Sequence, residues 1–339
     1  MIFTVLSDIF DNNSDSNIKM LDEILLFTND RHRLFLDDDD VIDKLLESDW
    51  FKTLRNSYQT EIGDFVTQSL QMNKPNSVLT ISNEASNSFT LDEAFEILYQ
   101  TFFILLENGE NDAYFIKALI KNFKKKGKTI EKHLTEGWLQ FGMGGGSTIP
   151  NVIREAKQRF EQDKAKFPKQ SFQYLRFFVM IDSDKAFPSE TPKQEKQDLI
   201  SLFSENNIPY HVLQKREMEN YMSDETISEI QDNGEYIAAY LRLTSIQKDY
   251  FDIQKGLPNK NFNDLAQGVQ ALYNDVSTSD KNIFRQQELE FKDNTGRKLS
   301  FKSEFPKLFL SENVTQETLL ARAGSNELQE ILDKITELL

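Results

Sequence analysis

Residues 177–185 read FFVMIDSDK, five apolar side chains that close on two aspartates one residue apart, Asp182 and Asp184. An apolar run of this kind is expected to be a strand buried on both faces, and residues two apart on a strand face the same way. Both carboxylates are therefore expected to share one site at the carboxyl end of a central strand. Two anions held a few Å apart at the edge of a core repel each other and lose hydration, so the pair persists most easily around a cation. Oxygen-only donors point to Mg²⁺ or Mn²⁺.

Working outward, the flanking sequence alternates strand and helix patterns. Residues 102–106 (FFILL) read as a buried strand. Residues 112–123 follow as a helix with Ile116, Leu119, Ile120 and Phe123 on one face. Residues 138–141 suggest a second strand, followed by a glycine loop and a helix with Thr148 as cap and Pro150 in its first turn. The strand ending at Ile181, a helix over 193–203 and a short strand over 210–213 complete the series. This order predicts an α/β fold with a central parallel, Rossmann-like sheet flanked by helices.

Residues 1–101 read as an α-rich amino-terminal domain, 102–222 as the α/β catalytic domain, and 223–339 as a helical carboxyl-terminal domain. In the first, residues 32–36 (HRLFL) suggest a strand, and residues 73–88 a loop around a short apolar VLTI. Thr90 with Glu93 forms a capping box. Asp37, Asp38, Asp39 and Asp40 precede a helix and are expected to cap it rather than to bind metal. In the last, residues 227–243, 262–273 and 325–339 read as helices. The final one sets Leu328, Ile331, Leu332 and Ile335 on one face and should pack on the sheet or a partner.

With 39% hydrophobic residues, including 27 Phe and 10 Tyr, the 339-residue chain can bury a substantial interior. No apolar run approaches the roughly 20 residues that cross a bilayer, and the amino-terminal stretch lacks signal-peptide features, so no membrane association is expected. Zero cysteines exclude disulfides, thiolate metal sites and a thiol nucleophile, and fit a reduced cytoplasm. The net charge of −16 repels nucleic acid at long range, so any contact with it must be local and metal-assisted. One basic island, Lys117, Lys121, Lys124, Lys125, Lys126 and Lys128, stands against that average; it reads as a solvated helix face and turn, with a phosphate contact as the alternative. His32, His133 and His211 show no ligand spacing and read as structural.

In open α/β sheets the functional crevice lies at the carboxyl ends of the strands. Those ends carry Glu107 and Asp112, then Gly144, Gly145, Gly146 and Ser147, then Asp182 and Asp184, then Glu219. A glycine loop leading into a helix offers backbone N–H groups to a phosphate, which nominates Gly145, Gly146 and Ser147. The loop lacks the Lys-Ser/Thr of a nucleotide P-loop, so ATP hydrolysis is not expected. Metal, phosphate and a polar rim together suggest phosphoryl-transfer chemistry.

At these residues the chain resembles the TOPRIM family, the catalytic fold shared by topoisomerases, primases and OLD-family nucleases. The resemblance rests on ILLENGENDAYFIKAL, GMGGGST, FFVMIDSDK and LQKREMENYM, spans about a third of the chain, and is closest to the OLD-type and defence-associated members. It implies that Glu107, Asp112, Asp182, Asp184 and Glu219 bind the metals that cleave a phosphodiester of DNA, RNA or tRNA. Lys185, Arg216 and Lys255 are candidates for substrate binding or charge stabilisation. It also implies a toxic anti-phage effector paired with an ABC- or SMC-like ATPase, with a homodimer allowed. One departure stands: the family's first glutamate lies four residues before its aspartate, where this chain has Asn108, with Glu107 one earlier. Either a bulge brings Glu107 into the site, Glu110 being a distant candidate, or Asn108 replaces the acid. The second outcome leaves a non-catalytic adaptor as the alternative function.

Overall fold

The computed structural model describes residues 1–28, 30–73, 75, 78–143 and 148–339. Strands β1 (Ile2–Val5), β2 (Arg33–Leu34) and β3 (Leu79–Ile81) form a small parallel sheet in the order β2-β1-β3. The sequence reading of an α-rich domain with a strand at residues 32–36 missed β1, because the four residues Ile2–Val5 are too few to show a period of their own. Helix α1 (Asp39–Glu47) is capped by the Asp38 carboxylate, which accepts from the Asp40 N–H at 2.9 Å; the acid run thus starts a helix as expected. Helix α2 (Leu91–Tyr99) carries the Thr90/Glu93 capping box.

The second sheet positions the candidate site. β4 (Phe102–Leu106), β5 (Leu139–Met143), β6 (Phe177–Ile181) and β7 (Tyr210–Val212) are all parallel in the order β5-β4-β6-β7. Pairings run Ile104↔Phe141, Ile104↔Phe178 and Ile181↔Val212. The fold is α/β with a Rossmann-like parallel sheet, as the alternation predicts. Strand order reverses between β4 and β6, so the connections leave these two strands toward opposite flanks and open a crevice beyond their carboxyl ends.

Strand periodicity divides the core. Phe102, Ile104, Leu106, Phe178 and Met180 face α3 (Ala113–Asn122) and the carboxyl-terminal region, sharing one core with Leu328, Ile331, Leu332 and Ile335 of the final helix. Leu105, Val179 and Ile181 face the other way, onto Ile149 and Ile153 of one helix and Leu199 and Phe203 of another. The basic island lies on α3 and on α4 (Lys124–Thr135), which restarts directly after Phe123 rather than dissolving into a turn. The opposite flank is built by α5 (Ile149–Glu161) and α6 (Gln194–Glu205).

The carboxyl-terminal helices are shorter than their apolar periodicity suggests. Residues 227–243 split into Asp224–Ile227 and Gly234–Leu241, because Asn233 takes a left-handed φ of 60° ahead of Gly234. Residues 262–273 split at Leu265, which is extended, and Ala266, neither of them helical. The closing helix α7 (Glu327–Leu338) buries its apolar face fully. Among the described residues, no helix is long and apolar enough to cross a membrane.

Candidate metal-binding cleft

A cleft of about 300 Å³ opens at the carboxyl ends of β4 and β6, lined by seven carboxylates: Glu107, Asp112, Asp182, Asp184, Glu217, Glu219 and Asp252. The structure thus brings together all five acids named from the sequence. Asn108 and Lys255 line it too, with Gln254, Phe301, Lys302 and Pro306. Glu110 is exposed and lies outside the lining. Gly144, Gly145, Gly146 and Ser147 lie outside the described residues.

Each acid is held by local chemistry. Residues 107–112 close a turn in which the Asp112 N–H donates to the Asn108 carbonyl at 2.8 Å and Asp112 Oδ2 accepts from the Asn108 N–H at 2.7 Å. After β7, Asn220 is fully buried; its side-chain carbonyl accepts from the Glu217 N–H at 2.9 Å, and its amide donates to the carbonyls of Lys248 (2.7 Å) and Phe251 (2.9 Å). Glu327 of α7 accepts from the Gln214 N–H at 2.7 Å, lies 2.8 Å from His211 Nε2, and bonds the Tyr221 hydroxyl. These two anchors fix the segment bearing Glu217 and Glu219.

Asp182 and Asp184 line the same cleft, as the sequence implies, but Asp184 gets there by a turn and not by strand alternation. β6 ends at Ile181, and Asp184 takes a left-handed φ of 55° while its N–H donates to the Arg216 carbonyl at 2.9 Å. That turn sends the Asp184 carboxylate to the α6 side, where Lys196 Nζ meets it at 2.9 Å and also bonds Glu107. Lys196 was absent from the sequence reading, since a lysine near a helix start resembles a solvated face; its side chain is 8% exposed. Arg216 pairs with Glu217 (3.3 Å) and Asp252 (3.2 Å). Lys185 is half-buried and outside the lining.

Among the described residues, Asp112, Asp182 and Glu219 form no ion pair with a lysine or arginine, and Asp182 Oδ1, closed to solvent, has no hydrogen-bond partner. Burial, reinforced by Glu107, Glu219, Glu217 and Asp112, raises the Asp182 carboxyl well above its ordinary range. Glu219 is pushed up to about 7 by burial, with Asp112 and Asp252 adding and Lys302 opposing. Glu217 is pushed up to about 8 by burial and by Glu219, against Arg216. Asp112 rises to about 6 through burial and Glu107, against the Asn108 N–H. By contrast, burial lowers the Lys196 ammonium, but Glu107 and Asp184 outweigh it and hold it protonated.

The donor chemistry fits a hard divalent cation: acidic oxygens, no sulfur, and one buried oxygen unsatisfied by the protein. Among the described residues, however, no three Asp, Glu or His side chains converge as a ready-made cage, so ion binding requires side-chain rotation. The three histidines serve structure as expected: His32 Nε2 lies 2.8 Å from the Leu98 carbonyl, His133 Nδ1 lies 2.9 Å from that of Thr129, and His211 meets Glu327.

Sequence reasoning missed Glu217, Asp252, Gln254 and Lys302 as cleft residues. Glu217 had a signal in the Arg-Glu-x-Glu run; Asp252 and Gln254 lie outside regular elements, and Lys302 sits on a four-residue helix too short to show a period. No protein-family model, no curated protein and no solved structure matches the chain.

Proposed function

We propose that this chain is a divalent-metal-dependent nuclease that cleaves phosphodiester bonds of DNA or RNA. The observation that carries the proposal is the buried, unpartnered Asp182 Oδ1 at the switch point of a parallel sheet, faced by acids from separate chain segments. A cluster of mutually repelling carboxylates costs stability without a cation, and so suggests a site kept for binding one. Asp112, Asp182 and Glu219 would hold Mg²⁺ or Mn²⁺. Bound there, the ion supplies charge neutralisation for the phosphate and acidifies an attacking water. Lys255 and Lys302 line the same cleft and are placed to offset phosphate charge. Arg216 acts as a positioning residue, tying Glu217 and Asp252 together.

The resemblance of four motif segments to those of defence-associated TOPRIM proteins supports a role as an anti-phage effector working with an ABC- or SMC-like ATPase in the cytoplasm. The test is cleavage of plasmid, single strands and total tRNA with Mg²⁺ and Mn²⁺. Asp182→Ala should lose cleavage by orders of magnitude while keeping the fold; cleavage at the wild-type rate would remove the proposal.

A second reading, a non-catalytic adaptor, draws on one observation: Lys196 already neutralises Glu107 and Asp184. An adaptor would show neither cleavage nor stabilisation by Mn²⁺.

A further inference from the structure

We propose that Lys196 takes the place of one divalent cation, so that the cleft binds a single metal ion, on the α3 side, rather than a pair. The inference rests on the metal-binding reading above and sharpens it to a stoichiometry and a location.

The sheet itself divides the acids. Glu107 follows β4 in the phase of Leu105, which faces α5 and α6. Asp182 follows β6 in the phase of Phe178 and Met180, which face α3 and the carboxyl-terminal region. Asp184 should follow Asp182, but its left-handed backbone returns it to the α6 flank. Two anions, Glu107 and Asp184, therefore converge on the α6 side, and α6 supplies the cation that meets both. Lys196 Nζ lies 2.9 Å from Asp184 Oδ2, bonds Glu107 Oε1, and is almost closed to solvent. A tethered ammonium between two carboxylates makes the contacts that a bridging ion would make and offsets one of the pair's two negative charges.

Beyond Lys196 lies a second hollow of about 630 Å³, lined in part by Leu199, Leu202 and Pro150. Its lining adds Glu195 and Asp198, neither of which reaches the main cleft, and its remaining residues, Pro150, Leu199 and Leu202, are apolar. The α3 side is the opposite case. Asp182 Oδ1 has no partner, and Asp112 Oδ2 accepts from a backbone N–H alone. Arg216 is committed to Glu217 and Asp252, so among the described residues Asp112, Asp182 and Glu219 are the cleft acids with no cation in contact.

The experiment is calorimetric titration of the full chain with Mn²⁺, read as ions bound per chain, for the wild type and for Lys196→Met. The wild type should bind one ion and Lys196→Met two, the second by Glu107 and Asp184. Two ions in the wild type would overturn this inference and leave the metal-binding reading standing; no ion would overturn both. One ion in Lys196→Met, with the variant folded by circular dichroism, would also overturn the assignment to Lys196. Should Lys196→Met not fold, Glu107→Gln decides. It should still bind one ion per chain, whereas loss of measurable binding would place Glu107 in the ion's shell and sink the proposal.

Discussion

Replacing Asp112 by Asn should make the metal-free protein more stable at neutral pH, against the usual direction of substitutions at a half-buried site. Burial and Glu107 push the Asp112 carboxyl from 3.8 up to about 6, so the folded chain holds this proton more tightly than the unfolded chain does. For an acid shifted upward, stability is greatest below the unfolded value, falls as pH rises toward about 6, and stays reduced above it. At roughly 1.4 kcal/mol per pH unit, that interval sets a ceiling of about 3 kcal/mol on the cost of ionised Asp112 at neutral pH. Lys302 and the open mouth of the cleft screen part of this, so a gain of about 1–2 kcal/mol is expected for Asp112→Asn. The asparagine carbonyl can still accept the Asn108 N–H, so the turn keeps its closing bond. Urea unfolding in chelator should show the gain near about pH 7.5 and its disappearance near about pH 4, where the aspartate is protonated as well. Saturating Mn²⁺ should reverse the order, because only the wild type keeps the full set of ligands. A variant equal to or less stable than the wild type at neutral pH without metal would refute the view that these acids repel one another across an empty centre.

Three further outcomes test how the site is held. Glu327→Ala removes the acceptor shared by Tyr221, His211 and the Gln214 N–H, and stranding these buried groups should cost about 3–5 kcal/mol in chemical denaturation. Gly256→Ala should cost about 3 kcal/mol or more by the same measurement, since Gly256 has φ 67° and an added Cβ would lie 2.2 Å from the Phe284 carbonyl oxygen. Glu93→Ala breaks the capping box of α2 and the buried contacts with Lys169 (2.9 Å) and Tyr174, and should lower stability by about 2–4 kcal/mol in thermal or urea unfolding.

The central sheet was legible because its strands are buried on both faces: FFILL and FFVMI carry enough apolar side chains to fill two cores at once. The strand ends then named the acids Glu107, Asp112, Asp182, Asp184 and Glu219, which do meet at one cleft. What the sequence concealed is how those acids are partnered. The left-handed turn at Asp184 depends on its N–H reaching the Arg216 carbonyl, a contact between segments that periodicity cannot supply. Lys196 is brought to Glu107 by the packing of Leu199 and Phe203 on the sheet, 89 residues along the chain. Asp252 reaches the cleft from an irregular stretch and Lys302 from the four-residue helix Phe301–Glu304, both positioned by the carboxyl-terminal core. The helix over 227–243 was overextended because its apolar spacing outweighed the Asp232-Asn233-Gly234 turn signal, which the backbone obeys.

The most direct measurement of the central claim is the melting temperature of the full chain with and without Mn²⁺, for the wild type and for Asp182→Ala. An ion at one hundred times its dissociation constant stabilises the folded state by about 2.7 kcal/mol, so the wild type should melt several degrees higher with a saturable dependence on Mn²⁺, and Asp182→Ala should not respond. A wild type that ignores Mn²⁺, or an Asp182→Ala chain that shifts equally, would contradict the claim that this cleft is built around a divalent ion.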